Sequence, residues 1–147
     1  MTVSAGLKQV LVTTVLFAFF GPLIGGLVIS PIMLVSDARD TLGSLVVSFF
    51  LYECLAFLFG VIPATVAGIL AVVARSRLAG RRFVIASAMI GFAVAMVYGT
   101  VMDGDIGRPT ANEVGALLLL CGLPGLVGGA GASALQWWFT RPARRAA

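Results

Sequence analysis

The sequence predicts an all-α membrane protein, a bundle of four transmembrane helices in a single domain over residues 1–147. Three observations carry that expectation. First, the 147 residues are 60% hydrophobic and 11% charged, whereas soluble domains carry about 25% charged residues. Second, the apolar residues fall into four blocks, each long enough to cross a hydrocarbon layer about 30 Å thick. Third, the ten basic residues are distributed asymmetrically. Lys8, the Arg75/Arg77/Arg81/Arg82 cluster and the tail Arg141, Arg144 and Arg145 hold eight of them. Only Arg39 and Arg108 occupy the other two loops. Four spans place the eight on one side, so the positive-inside rule predicts cytoplasmic N- and C-termini in a cell inner membrane. The basic balance therefore reads as a topology signal, and no nucleic-acid partner is expected.

Span one is expected at about 9–35, with Pro22 and Pro31 inside or at its end. Its apolar run is too long for the core of a secretory signal and ends in no small-x-small cleavage site, so it is expected to stay in the membrane. Asp37 to Asp40 and Gly43 read as a polar loop. Span two fills 44–74 and a basic turn around Gly80 follows it. Span three is 83–102, then a loop rich in turn residues begins at Asp103. Span four covers 114–139, with Trp137 and Trp138 suited to the inner aromatic belt. Asp103-Gly-Asp105 lacks the rest of a calcium-loop pattern and reads as a solvated turn.

Two segments read alike. Pro63-Ala-Thr-Val-Ala-Gly68 and Pro124-Gly-Leu-Val-Gly-Gly129 share a proline, a valine three residues on, and small residues between. Glu53 and Glu113 precede these prolines by ten and eleven residues. Glu53 also lies 22 residues before Arg75, about 33 Å along a helix, at the outer edge of the hydrocarbon. The match in motif and depth predicts two helical hairpins as a parallel repeat. The Pro-Ala-x-x-Ala-Gly string resembles small bacterial inner-membrane proteins in general, which carries no residue roles with it.

Small residues recur every four positions in each span: Gly21 and Gly25; Gly60, Ala64 and Gly68; Ser87, Gly91, Ala95 and Gly99; Gly125, Gly129 and Ser133. Helices in lipid associate through close backbone approach, so such ladders are candidate packing faces, with one or more available to a partner. Pro63 frees the carbonyl of Phe59, and Pro124 that of Leu120. Freed carbonyls bind ions or substrates in some transporters, though a simple kink is the commoner outcome. Thr65 is placed to supply a satisfying hydroxyl. Glu53, the acid within an apolar stretch, is a candidate transport or ion-binding residue with Tyr52 as neighbour, and Arg39 or Arg108 as possible ion-pair partners. Glu113 reads as a helix-start residue. Cys54 and Cys121 are separated too far in depth for a disulfide and are expected to be buried small apolar residues.

No histidine occurs, and no nucleophile motif, phosphate loop or metal-spaced cluster is recognisable, so no catalysis and no cofactor are expected. The favoured reading is a non-catalytic accessory or assembly subunit, a homo-oligomer or bound to a larger membrane protein. The alternative is a small homo-oligomeric channel or carrier, with Glu53 at the outer mouth and helices broken at the proline-glycine segments.

Overall fold

A computed structural model describes residues 3–36, 42–103 and 111–140 of the chain. The Asp37–Asp40 loop, Asp105 and the arginines at 39, 108, 141, 144 and 145 lie outside the described residues. So do the ion pairs expected of Arg39 and Arg108.

The described residues are helical almost throughout. Helix α1 is Val3–Ser36, α2 is Leu42–Arg77 and α3 is Arg81–Asp103. The last span is composite: α4 (Ala111–Leu117), a π turn (Leu118–Gly122), then α5 (Leu123–Thr140). Four helical segments are long and apolar enough to cross a membrane, so this is a multi-pass membrane protein. The spans run a few residues beyond the limits expected from hydropathy, because helical hydrogen bonding continues into polar residues at the helix ends. The α2–α3 turn needs only three residues. Leu78 N–H donates to the Ala74 carbonyl at 2.9 Å, and Gly80 takes φ 60° to reverse the chain. A side chain at 80 would be strained in that conformation. Arg75 reaches back across the turn to the Phe83 ring, 6.0 Å from its centroid.

The bundle is square in section. α1 packs on α2 and α5, α3 packs on α5 and α2, and the diagonal contact between α2 and α5 is slight. The chain thus forms two hairpins, α1–α2 and α3–α4–α5. Among the described residues, α4 and the π turn pack on α3 and α5 and make no extensive contact with α1 or α2. The hairpins therefore close on each other near the α2–α3 turn, at the terminal end. They separate toward the α1–α2 and α3–α4 connections, the connection end. The packed hydrophobic cluster comprises Phe17, Ala67, Ala71, Phe83 and Ala132, with Leu78, Ile90 and Val94 against it.

Large side chains mostly point outward: Phe50, Leu58, Phe59 and Val97 are all exposed. That inversion of the soluble pattern follows from the solvent, since lipid tails are as apolar as leucine and give no reason to bury it. Cys54 joins this outer face and is exposed, which corrects the expectation that both cysteines are buried. Cys121 is half-buried, and neither cysteine is in a disulfide. Glu113 stands in the first turn of α4, where the helix dipole favours an acid.

Candidate functional site: an apolar cavity between the hairpins

The inward stripes of the four spans do not fill the bundle axis. Between them lies a cavity of about 580 Å³, within the range of about 300–1,000 Å³ typical of small-molecule sites. It is lined by residues drawn from 17–33, 52–67, 91–102 and 117–129, at spacings of three and four. Sixteen of its twenty-seven lining residues are Gly, Ala or Pro. Where a soluble bundle places mostly leucine and phenylalanine, this one places mostly small residues, and the space remains.

Most residues singled out in the sequence meet at this cavity. Tyr52, Phe59, Pro63, Leu120 and Pro124 all line it, as do Gly21, Gly25, Gly60, Ala64, Gly91, Ala95, Gly99, Gly125 and Gly129. Gly68, Ser87 and Ser133 lie outside the lining, toward the terminal end.

The glycines bring backbones together around its rim. A Cβ built on Gly21 would meet Ala64 Cβ at 3.3 Å, and one on Gly25 would meet the Pro124 carbonyl oxygen at 3.0 Å. Gly60 faces Pro22, whose Cβ would be 3.0 Å away. A Cβ on Gly68 would lie 2.9 Å from Phe17 Cβ and 3.1 Å from Thr14 Cα, and one on Gly129 would lie 2.5 Å from the Ser87 carbonyl oxygen. A Cβ on Gly99 would lie 2.7 Å from Cys121 Sγ. The prolines at 22 and 124 therefore sit at helix crossings, each seated against a glycine of a neighbouring helix.

The two proline segments differ locally. α2 runs through Pro63 without interruption, so the helix is not broken there as the channel alternative would have it. Thr65 Oγ1 donates to the Val61 carbonyl at 2.6 Å rather than to that of Phe59. Before Pro124 the chain widens into the π turn, where Leu123 N–H bonds the Leu118 carbonyl. Proline lacks the donor that an α turn would direct at Leu120, and the extra residue per turn absorbs the mismatch.

Glu53 is half-buried beside the cavity, in the α1–α2 seam, and is absent from the lining. Its Oε1 accepts a hydrogen bond from Ser30 Oγ at 2.8 Å, and the same hydroxyl lies 3.0 Å from the Gly26 carbonyl. Gly26 makes the room: a Cβ there would lie 2.5 Å from Glu53 Oε2. Sequence reasoning missed Ser30 as the partner. The signal was available, since Gly26 and Ser30 form a small-residue pair four positions apart, on a different face of α1 from Gly21 and Gly25.

A second group closes the terminal end, and its Thr13 and Gln136 were missed in the sequence. Gln136 Nε2 donates to Thr13 Oγ1 between α5 and α1, and Thr13, Ser87, Ser133 and Gln136 are all buried. Ser133 Oγ is satisfied by the Ala130 carbonyl at 2.9 Å. Ser87 Oγ is fully buried and has no hydrogen-bond partner among the described residues. A buried hydroxyl without a partner is destabilising, so Ser87→Ala is expected to be neutral or stabilising by about 1 kcal/mol. Thermal unfolding in detergent checks this; a fall of several degrees would show that Ser87 has a partner after all.

Electrostatically the cavity is bland. Its lining contains no charged side chain, and its polar side chains are Tyr52, Tyr98 and Cys121. No protein-family model matches this sequence, and no curated protein or solved structure matches it either.

Proposed function

We propose that this is a non-catalytic membrane protein that holds a membrane-soluble apolar molecule between its two hairpins. It acts as a small carrier or presenting subunit. The observation that supports this reading is the 580 Å³ cavity with its lining of small residues and no charge. An ion would lose its hydration there with nothing to replace it, whereas an apolar molecule regains the dispersion contacts that an empty cavity forfeits.

The rest of the proposal concerns placement. The termini are cytoplasmic, by the charge asymmetry, in a bacterial inner membrane, so the hairpins separate toward the outer leaflet. The two hairpins are parallel repeats, and the four-residue ladders of small residues are their packing code.

The test is native mass spectrometry of protein extracted gently from its membrane. An apolar molecule bound to the folded chain is expected, and Ile29→Trp, which places an indole in the cavity, is expected to expel it. A chain that carries nothing, together with an Ile29→Trp variant indistinguishable from wild type, would overturn the reading.

An accessory role in a larger complex is the second reading, favoured by the length of the first hairpin. α1 and α2 have 34 and 36 residues, about 51–54 Å of helix against about 30 Å of hydrocarbon. Val35, Val46, Val47 and Phe50 on the excess length are exposed. A stoichiometric membrane partner recovered with the chain would support that role.

A further inference from the structure

Three helices bring basic residues to one level at the terminal end of the bundle. Arg75 and Arg77 close α2, and Arg81 and Arg82 open α3 across the three-residue turn. Lys8 joins them from α1. Helices α1 and α2 meet where a Cβ on Gly68 would lie 3.1 Å from Thr14 Cα. Six residues back from Thr14 and seven on from Gly68 reach Lys8 and Arg75, about 9–11 Å further along the antiparallel pair. We propose that this cluster binds an anionic phospholipid in the leaflet at the terminal end, the inner leaflet in the orientation proposed above. The site is independent of what the cavity holds.

Charge carries the first part of the argument. Among the described residues the acids are Glu53, Asp103 and Glu113, all placed toward the connection end. No described acid therefore stands beside Lys8 and the four arginines, and their attraction for an anion adds up. Topology asks for positive charge on this side of the membrane but not for its arrangement.

The arrangement is built into the fold. The Arg75 guanidinium is held 6.0 Å from the Phe83 centroid, across the turn. The turn itself is fixed by the Leu78–Ala74 hydrogen bond and by Gly80 at φ 60°. Lys8, Arg77, Arg81 and Arg82 are exposed, so their heads are accessible. Cations mounted on helix ends lose less freedom on binding than cations on a free chain, and a guanidinium grips a phosphate through two parallel hydrogen bonds. Beside the cluster, Leu70 and Val73 on α2 and Ile85 and Met89 on α3 are exposed as well. These side chains lie within about two turns of the arginines and offer acyl chains an apolar surface. A soluble anion has no use for that surface, which is why the partner is a lipid.

The experiment titrates the purified full chain in detergent with phosphatidylglycerol or phosphatidylcholine of the same acyl chains, read by native mass spectrometry. Phosphatidylglycerol is expected to bind more tightly and to resist displacement by inorganic phosphate. Arg77→Gln/Arg81→Gln is expected to weaken it about thirtyfold, the effect of two basic residues near an anionic headgroup. Arg77→Lys/Arg81→Lys keeps the charge without the paired hydrogen bonds and should fall between. Arg144→Gln/Arg145→Gln removes the same charge from the tail and should change the affinity little. All three variants alter exposed or tail positions, so lipid-free unfolding temperatures near that of wild type are expected and certify the fold. Equal affinity for the two lipids would overturn the site. So would an equal loss from the turn and tail pairs, because net charge alone would then suffice. Displacement by inorganic phosphate would make the ligand a soluble anion and overturn the lipid assignment.

Discussion

Replacing Gly91 by leucine is expected to abolish the docking of α3 on α5, and replacing it by alanine to cost about 2 kcal/mol. At this point two backbones touch without intervening side chains. A Cβ on Gly91 would fall onto the Gly125 carbonyl oxygen, with Gly125 C at 3.2 Å and Gly129 Cα at 3.3 Å. The reciprocal position is as tight, since a Cβ on Gly125 would lie 2.5 Å from the Gly91 carbonyl oxygen and from Ala95 Cβ. Nothing here is the flexible end of a side chain, so relief requires the helices to move apart. In lipid there is little hydrophobic force to hold them once dispersion contacts are lost. The expected readout is a lower unfolding temperature for Gly91→Ala, and loss of the monodisperse elution peak for Gly91→Leu. Gly115→Leu is the control, because a Cβ at 115 meets nothing within 4 Å. Equal tolerance at 91 and 115 would refute this account of the α3–α5 contact.

Gln136→Ala is expected to be the next most damaging change, by about 2–3 kcal/mol. The side chain is 2% exposed, so truncation leaves a void at the closed end of the bundle. It also removes the donor to Thr13, a membrane hydrogen bond of about 0.6–1.7 kcal/mol. Gln136→Leu separates the two contributions, since it keeps most of the volume and loses the polar contacts of the amide, the bond to Thr13 among them. Denaturation in mixed micelles should therefore rank wild type above Gln136→Leu and that above Gln136→Ala. A Thr13→Val background should shrink the gap between wild type and Gln136→Leu. If the gap stays the same, the two residues are not coupled.

The site was legible in part. Tyr52, Phe59, Pro63, Leu120 and Pro124 stood out because proline, glycine and a polar ring are conspicuous within apolar runs, and they meet at one cavity. Glu53 stood out for its charge, yet its partner did not. Ser30 lies 23 positions away on another helix, and only the crossing of α1 and α2 brings them together. α2 passes through Pro63 uninterrupted, whereas the last span widens before Pro124, although the two motifs look alike. A proline states which donor is missing; whether the helix absorbs that loss by widening depends on its neighbours. Thr13 and Gln136 were invisible for the same reason, as each is an ordinary polar residue near a helix end until the other faces it.

The sequence by itself determined that this is a multi-pass membrane protein of four apolar helices, because span length and hydropathy are local properties set by bilayer thickness. It also marked the faces poor in side chain, since a four-residue spacing keeps small residues on one side of a helix. Only the tertiary structure decided what those faces do. A stripe of glycine and alanine permits two backbones to close on each other, as at Gly91 and Gly125, and equally permits a space when four such stripes face one axis. The choice rests on how far the two hairpins separate, a balance of contacts between residues distant in the chain.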